Sequence, residues 1–301
     1  MQVKYHEPVL RDASVNGLDI HPDGTYVDVT FGGGGHSRAI LAQMSKGKLI
    51  AFDQDADAVQ NVPDDVRFNL VQDNFRHLEF QLNNQQVIPV DGILADLGVS
   101  SHQFDEASRG FSIRFDADLD MRMDQQASLT ARDVLNHYSE HDLMRVFKEY
   151  GEINNARKVA SLVAASRKIN PIRTIDEFKK VINPCAPRGK ENSFYAQIFQ
   201  ALRIEVNDEL GALKDLLEQA PSVLRQGGRL VVISYHSLED RLVKNFINTG
   251  NTAGELKKDF YGNVTGLLFK ALTRKPVEAD ASEVERNPRS RSAKMRIAEK
   301  L

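Results

Sequence analysis

Along the first hundred residues, short apolar runs alternate with stretches of helical spacing, and then the alternation stops. Thr25–Thr30, Lys48–Asp53, Val66–Val71 and Asp91–Asp96 read as buried strands, bounded by turn residues and followed by helical patterns. From Gln103 to Arg203 only helical patterns occur. Leu143, Val146, Phe147 and Tyr150 share a face of Ser139–Tyr150, and Asn155–Arg167 and Ile175–Ile182 follow, separated by Pro-rich turns. The α/β rhythm then resumes. Val206, Leu210, Leu213, Leu217, Ala220 and Leu224 trace a helix ended by Gly227-Gly228. A strand Arg229–Tyr235, a helix through Phe246, and a closing antiparallel pair Thr265–Leu272 and Ser292–Ala298 complete the chain. The pattern predicts a Rossmann-like α/β sheet, residues 1–104 and 205–301, interrupted by a helical domain over 105–204.

The first strand runs directly into Gly32-Gly-Gly-Gly35 and a helix, the opening of a nucleotide-binding βαβ unit. A dinucleotide fold wants G-x-G-x-x-G, and neither register supplies the third glycine: one leads to Ser37, the other to Arg38. What is present is D-x-x-x-G-x-G, with Asp28 four residues before the glycines. This resembles the first motif of S-adenosylmethionine (SAM) methyltransferases. Asp53 lies at the spacing of a ribose-binding acid, and Asp73 or Phe75 is placed to hold an adenine. Ligands of open parallel sheets sit at the carboxyl ends of strands, where Asp28, Asp53, Asp73 and Asp96 all fall. Each acid taken alone reads as a helix cap. Four in succession beside a glycine loop favour ligand binding.

Composition narrows the partners. With 39 basic and 42 acidic residues the net charge is −3, so any polyanion surface must be local. Two segments qualify. Arg157, Lys158, Arg167, Lys168 and Arg173 follow one another without an acid, as do Arg286, Arg289, Arg291, Lys294 and Arg296. A solvated face is the plain alternative for either run. One cysteine, Cys185, excludes an internal disulfide framework. No stretch has signal-peptide or membrane-spanning character, and a cytoplasmic enzyme is the expectation.

Three constellations could carry chemistry. Asp96-Leu-Gly-Val-Ser100 occupies the place of the acceptor loop of amino-group methyltransferases, without the Pro-Pro and aromatic usual there. In Ser234-Tyr-His-Ser-Leu-Glu-Asp240, Tyr235 could stack a flipped base and His236 could hydrogen-bond it or relay a proton. A metal site on His236, Glu239 and Asp240 and capping by Ser237 are the rivals; no metal is expected. Cys185 follows Pro184, as the thiol of a carbon-5 methyltransferase would, but it lies deep in the insertion and reads as structural.

His6-Glu-Pro-Val-Leu10, Thr30–Ser37, Asp96–Ser101, Leu119-Asp-Met-Arg-Met123, Ser234–Arg241 and Asn287-Pro-Arg-Ser-Arg-Ser292 together resemble the RsmH (MraW) family. The resemblance covers nearly the whole chain. It implies a SAM-dependent methyltransferase acting on N4 of a cytidine, position 1402, in the decoding region of 16S ribosomal RNA. It implies SAM contacts at Gly34, Gly35, His36, Asp53, Phe75, Asp96 and Gln103. Asp96, Tyr235 and His236 are the candidate catalytic groups, and Arg157, Lys158, Arg167, Lys168, Arg289 and Arg291 the candidate RNA contacts. The expected partner is 16S rRNA within the small ribosomal subunit, with a homodimer as a candidate assembly. A non-catalytic SAM-binding ribosome assembly factor is the alternative function.

Overall fold

The computed structural model describes residues 8–301, so His6 and Glu7 of the first motif lie outside the described residues. The chain forms two compact units. One comprises residues up to Gly98 together with Leu210–Leu301, the other Val99–Glu209. The boundaries expected from the sequence fall instead inside the helices Ser101–Asp105 and Glu191–Asn207.

The first unit is built on a seven-stranded sheet. Its strands are β1 (Thr25–Asp28), β2 (Lys48–Phe52), β3 (Phe68–Val71), β4 (Val90–Asp96), β5 (Leu224–Ser234), β8 (Phe269–Ala271) and β9 (Lys294–Lys300), in the order β3-β2-β1-β4-β5-β9-β8. β1 to β5 are parallel, β9 runs antiparallel to β5, and β8 antiparallel to β9. Alternation along the strands sorts the core onto two faces. Val27, Ile93 and Val232 pack with Leu217, Val243 and Phe246 on one side. Tyr26, Leu94 and Val231 pack with Val15, Leu18 and Ile40 on the other. The strand order turns between β1 and β4, so their carboxyl ends open the crevice where such sheets take ligands.

Several elements differ from the sequence expectation. The helix expected over Val206–Leu224 is Glu209–Val223, and Val206 belongs to a separate helix, Glu191–Asn207. The break is Asp208, left-handed at φ 47°, which the apolar periodicity does not register. Gly227-Gly228 does not end the helix. Leu224 already pairs with Val90, and the strand bulges through Gly227 at φ 74° before Arg229 re-enters opposite Gly92. β3 starts at Phe68 because Val66 is fully exposed on an edge strand. A two-stranded hairpin, β6 (Lys257–Lys258) and β7 (Val264–Thr265), is too short for periodicity to reveal.

The second unit is helical. Ala131–His137, Glu140–Glu149, Ala156–Ser166, Ile175–Ile182 and Glu191–Asn207 enclose Leu143, Phe147, Val163, Phe178, Phe199 and Leu202. Thr130 and Thr174 start their helices with capping boxes that employ Asp133 and Glu177. In the Leu119–Met123 motif, Asp120 holds Arg122 through two bonds of 2.8 and 2.7 Å, while Leu119 and Met121 are buried. Cys185 is buried in this core, and burial raises its thiol pKa, which disfavours the thiolate a nucleophile needs. No helix among the described residues is long and apolar enough to cross a membrane.

Candidate active site

The site grows from four strand ends that differ sharply in what their acids already hold. Asp28 is fully buried; its carboxylate accepts from Ser37 Oγ at 2.7 Å and from the Thr30 amide at 3.2 Å. Asp73 is filled by its own helix, accepting from the Asn74 amide, His77 Nδ1 and Gln81 Nε2 at 2.7 to 3.0 Å. Both therefore act as local tethers, close to the capping role that each acid suggests when taken alone.

Asp53 is different. One carboxylate oxygen accepts from the Gly32 amide at 2.7 Å, the other from the Asp55 amide at 2.8 Å. Each oxygen keeps a lone pair for a further donor, which suits a diol. Burial dominates and pushes its pKa up to about 6, against the two amides that lower it. Phe75 stands at the start of the short turn after β3, half-buried beside the core. The glycine loop is cross-tied: Arg38 donates to the Gly33 carbonyl at 2.7 Å, and Asn61 Nδ2 to that of Gly32 at 3.0 Å. Only Gly32 and Gly34, at φ 50° and 73°, need glycine for conformation. At Gly33 an added Cβ would meet nothing within 4 Å, so the loop offers bare backbone to open space.

Asp96 ends β4 with 22% of its side chain exposed. Its amide donates to Thr30 Oγ1 at 2.6 Å, which ties the loop to the end of β1. Tyr235 Oη donates to Asp96 Oδ1 at 2.7 Å, and His36 Nδ1 stands 3.7 Å from Oδ2. His36 is buried, and its Nε2 lies 3.0 Å from the Val9 carbonyl. A carbonyl only accepts, so Nε2 carries a proton. Desolvation is the largest influence on Asp96, pushing its pKa up to about 6 against the His36 and Tyr235 contacts that lower it. Burial likewise raises Tyr235 well above its ordinary value, with the Asp96 charge adding to it. Tyr235 is thus a firm donor. Gly98, at φ 95°, lies against its ring, 3.6 Å from the point an added Cβ would occupy.

His236 is held by the helix that follows it. It is the capping residue of the helix Ser237–Thr249, with Nδ1 3.5 Å from the Glu239 amide, while Glu239 Oε2 accepts from the Tyr235 amide at 2.9 Å. Ser237 is not the cap. Asp240 is taken by Arg296 through bonds of 2.7 and 3.0 Å, which removes Arg296 from the expected basic run. Gln103 belongs to the helical unit, where its Oε1 accepts from the Ser100 amide in a capping box.

The candidate RNA contacts divide similarly. Arg157, Lys158, Lys168 and Arg291 are exposed. Arg167 is half-buried, and its guanidinium donates to the Leu135 and Tyr138 carbonyls at 2.8 and 2.6 Å. Arg289 is half-buried in the short turn Pro288–Ser292. Spacing could not separate an arginine that ties two carbonyls from one that meets solvent.

A model of the MraW methylase family matches residues 3–301. Ribosomal RNA small subunit methyltransferase H of Bacteroides thetaiotaomicron is 54% identical over 300 residues, covering 99% of this chain and 98% of its own. The protein of the same name from Parabacteroides distasonis is 56% identical over 299 residues, covering 99% and 98%. An rRNA methylase structure from Streptococcus thermophilus aligns with 97% of this chain and 93% of its own, at 13% identity and a TM-score of 0.40. On the family match and the full-length relatives, the chain belongs to the MraW methylase family.

Proposed function

We propose that the protein is a SAM-dependent rRNA methyltransferase that modifies N4 of the cytidine at position 1402, in the decoding region of 16S rRNA. The observation that carries this reading is the Asp96 carboxylate, clamped by Tyr235 on one oxygen at the end of β4 beside an open glycine loop. The curated relatives, full-length and more than half identical, bear the name of small-subunit rRNA methyltransferases. When bound, SAM supplies an electrophilic methyl group on a sulfonium. Asp53 would take the ribose hydroxyls on its two remaining lone pairs, with Phe75 beside the adenine, and Gly34, Gly35 and His36 would line the rest. Gln103 is a contact that the family resemblance alone suggests.

Asp96 would accept a hydrogen bond from the exocyclic amine of an unstacked cytidine. An acceptor so placed would orient the amine and favour the conformation in which its lone pair is free to attack. Tyr235 fixes the orientation of the carboxylate. Asp96 would also be placed to take the proton that the amine gives up, with water as the other acceptor. Arg157, Lys158, Lys168 and Arg291 would meet RNA phosphates.

The decisive experiment is methyl transfer from labelled SAM to 30S subunits lacking this modification, followed by nuclease digestion and mass spectrometry. Label should appear as N4-methylcytidine at the decoding site. Label on carbon 5, or tight SAM binding without transfer, would sink the proposal, the latter in favour of the assembly factor. The two raised carboxylates also set a pH dependence. Both are charged above about 6, so kcat/KM should fall as pH drops through 6, with a limiting slope approaching two if both anions are required. A flat profile from pH 8 to 5 would remove both from the reaction.

A further inference from the structure

Beyond the candidate site, one exposed element matches a nucleic acid better than solvent. The helix Ser237–Thr249 starts at the Tyr235-His236 loop and ends at Gly250, left-handed at φ 75°. Its thirteen residues carry the chain about 20 Å from the site at 1.5 Å per residue. The β6–β7 hairpin follows there. It is rooted firmly, since Phe269 just after it is buried against Phe246 at 6.0 Å, and Asn251 binds the Gly254 and Glu255 amides. Its tip is bare. Phe260 is 97% and Tyr261 86% exposed, with their rings edge to face, 5.6 Å apart and at 88°.

Rings so exposed bury almost none of their surface in the fold, and a pair of them standing together points to a partner outside the chain. Charge decides which partner. Between Leu256 and Lys275 stand Lys257, Lys258, Lys270, Arg274 and Lys275, all exposed, against a single acid, Asp259. That acid is consumed by the turn itself, accepting from the Tyr261 and Asn263 amides at 2.9 and 2.8 Å and from Asn263 Nδ2 at 3.0 Å. A patch that meets another protein centres on apolar groups and is depleted in lysine. Aromatic rings flanked by lysines are the pattern of a stacking platform with an electrostatic grip on phosphates.

We infer that the Leu256–Leu268 hairpin is a second RNA contact, in which Phe260 and Tyr261 stack unpaired bases while Lys257 and Lys258 hold the backbone. It rests on the proposed reading that the substrate is ribosomal RNA. The hairpin would anchor RNA at a distance from the target cytidine, so it affects capture and not the methyl-transfer step.

The test compares Phe260→Ala/Tyr261→Ala and Lys257→Glu/Lys258→Glu with the unaltered protein. Binding is measured on protein-free 16S rRNA and on 30S subunits, with SAM affinity by calorimetry and a thermal melt as controls for the fold. The aromatic pair should weaken binding to both RNA forms by at least about fivefold. It should raise KM for RNA by the same factor and leave kcat and SAM affinity unchanged. The charge-reversed pair should flatten the salt dependence of RNA binding by about 0.7 for each phosphate that is no longer neutralised. Unchanged RNA affinity in both variants overturns the inference. Weakened binding to the 30S particle but not to protein-free rRNA also overturns it and assigns the hairpin to a ribosomal protein. If the unaltered protein transfers no methyl group, the functional proposal fails, while the binding comparison still decides the role of the hairpin.

Discussion

Asp96→Asn is expected to lower methyl transfer by about 10²- to 10⁴-fold at pH 7.5 and, at the same pH, to stabilise the fold. The loss follows from replacing an anionic acceptor by a neutral one at the atom that would meet the amine. The gain follows from linkage. Burial raises the Asp96 pKa to about 6, above the value near 4 of an unfolded chain. Between those values the folded state holds the extra proton, so stability falls as pH climbs through the window and stays reduced above it. An amide has no charge to desolvate. Its oxygen can still accept from Tyr235. The gain should amount to about 1–3 kcal/mol. Urea denaturation of both proteins at pH 7.5 and pH 4 reads it directly, because the difference should shrink at the lower pH. Equal stability at both values would mean that the charge is well solvated, and the site would lose its tuned acceptor.

Phe147→Ala is expected to cost the helical unit about 3–5 kcal/mol. Phe147 is fully buried on Glu140–Glu149, which packs against Ala156–Ser166 and Glu191–Asn207. It belongs to a buried apolar cluster that includes Leu143, Val163 and Leu202, and a void lined by such side chains is costly because water does not fill it. Differential scanning calorimetry should show a transition moved down by more than about 10 °C. A shift under about 2 °C would mean the unit tolerates a cavity at its centre and is packed more loosely than its burial implies. Phe147→Leu keeps most of the volume and should recover most of the loss.

The sheet was legible because its strands are buried on both faces, so Tyr26–Val27, Leu49–Phe52 and Ile93–Ala95 read as continuous apolar runs. The helices Glu140–Glu149 and Ile175–Ile182 were legible because apolar spacing and the turns between segments mark them. What stayed hidden depends on single dihedrals or on partners distant in sequence. Asp208 breaks two helices by one left-handed residue, and Leu224 joins a strand only because Val90 is there to pair with it. Among the strand-end acids, spacing marked Asp28, Asp53, Asp73 and Asp96 alike. Only the structure shows Ser37 consuming the first and Gln81 and His77 the third. The resemblance to known methyltransferases selected Asp53 and Asp96 without giving that reason. A catalytic His236 was one of several readings of its loop, and only the structure shows its Nδ1 at the first turn of its own helix.

The pairing of β4 with β5 joins two segments separated by the whole of Val99–Glu209. On a ribosome the helical unit is complete in the nascent chain before β5 has been made. β1 to β4 must wait, with the edge of β4 unpaired, while that unit emerges. Closing an unstructured loop of that length carries an entropy cost that grows with its logarithm, and an insertion already folded spares part of it. The order of synthesis thus favours an inside-out history, in which the interruption folds first and the sheet that it interrupts is finished last.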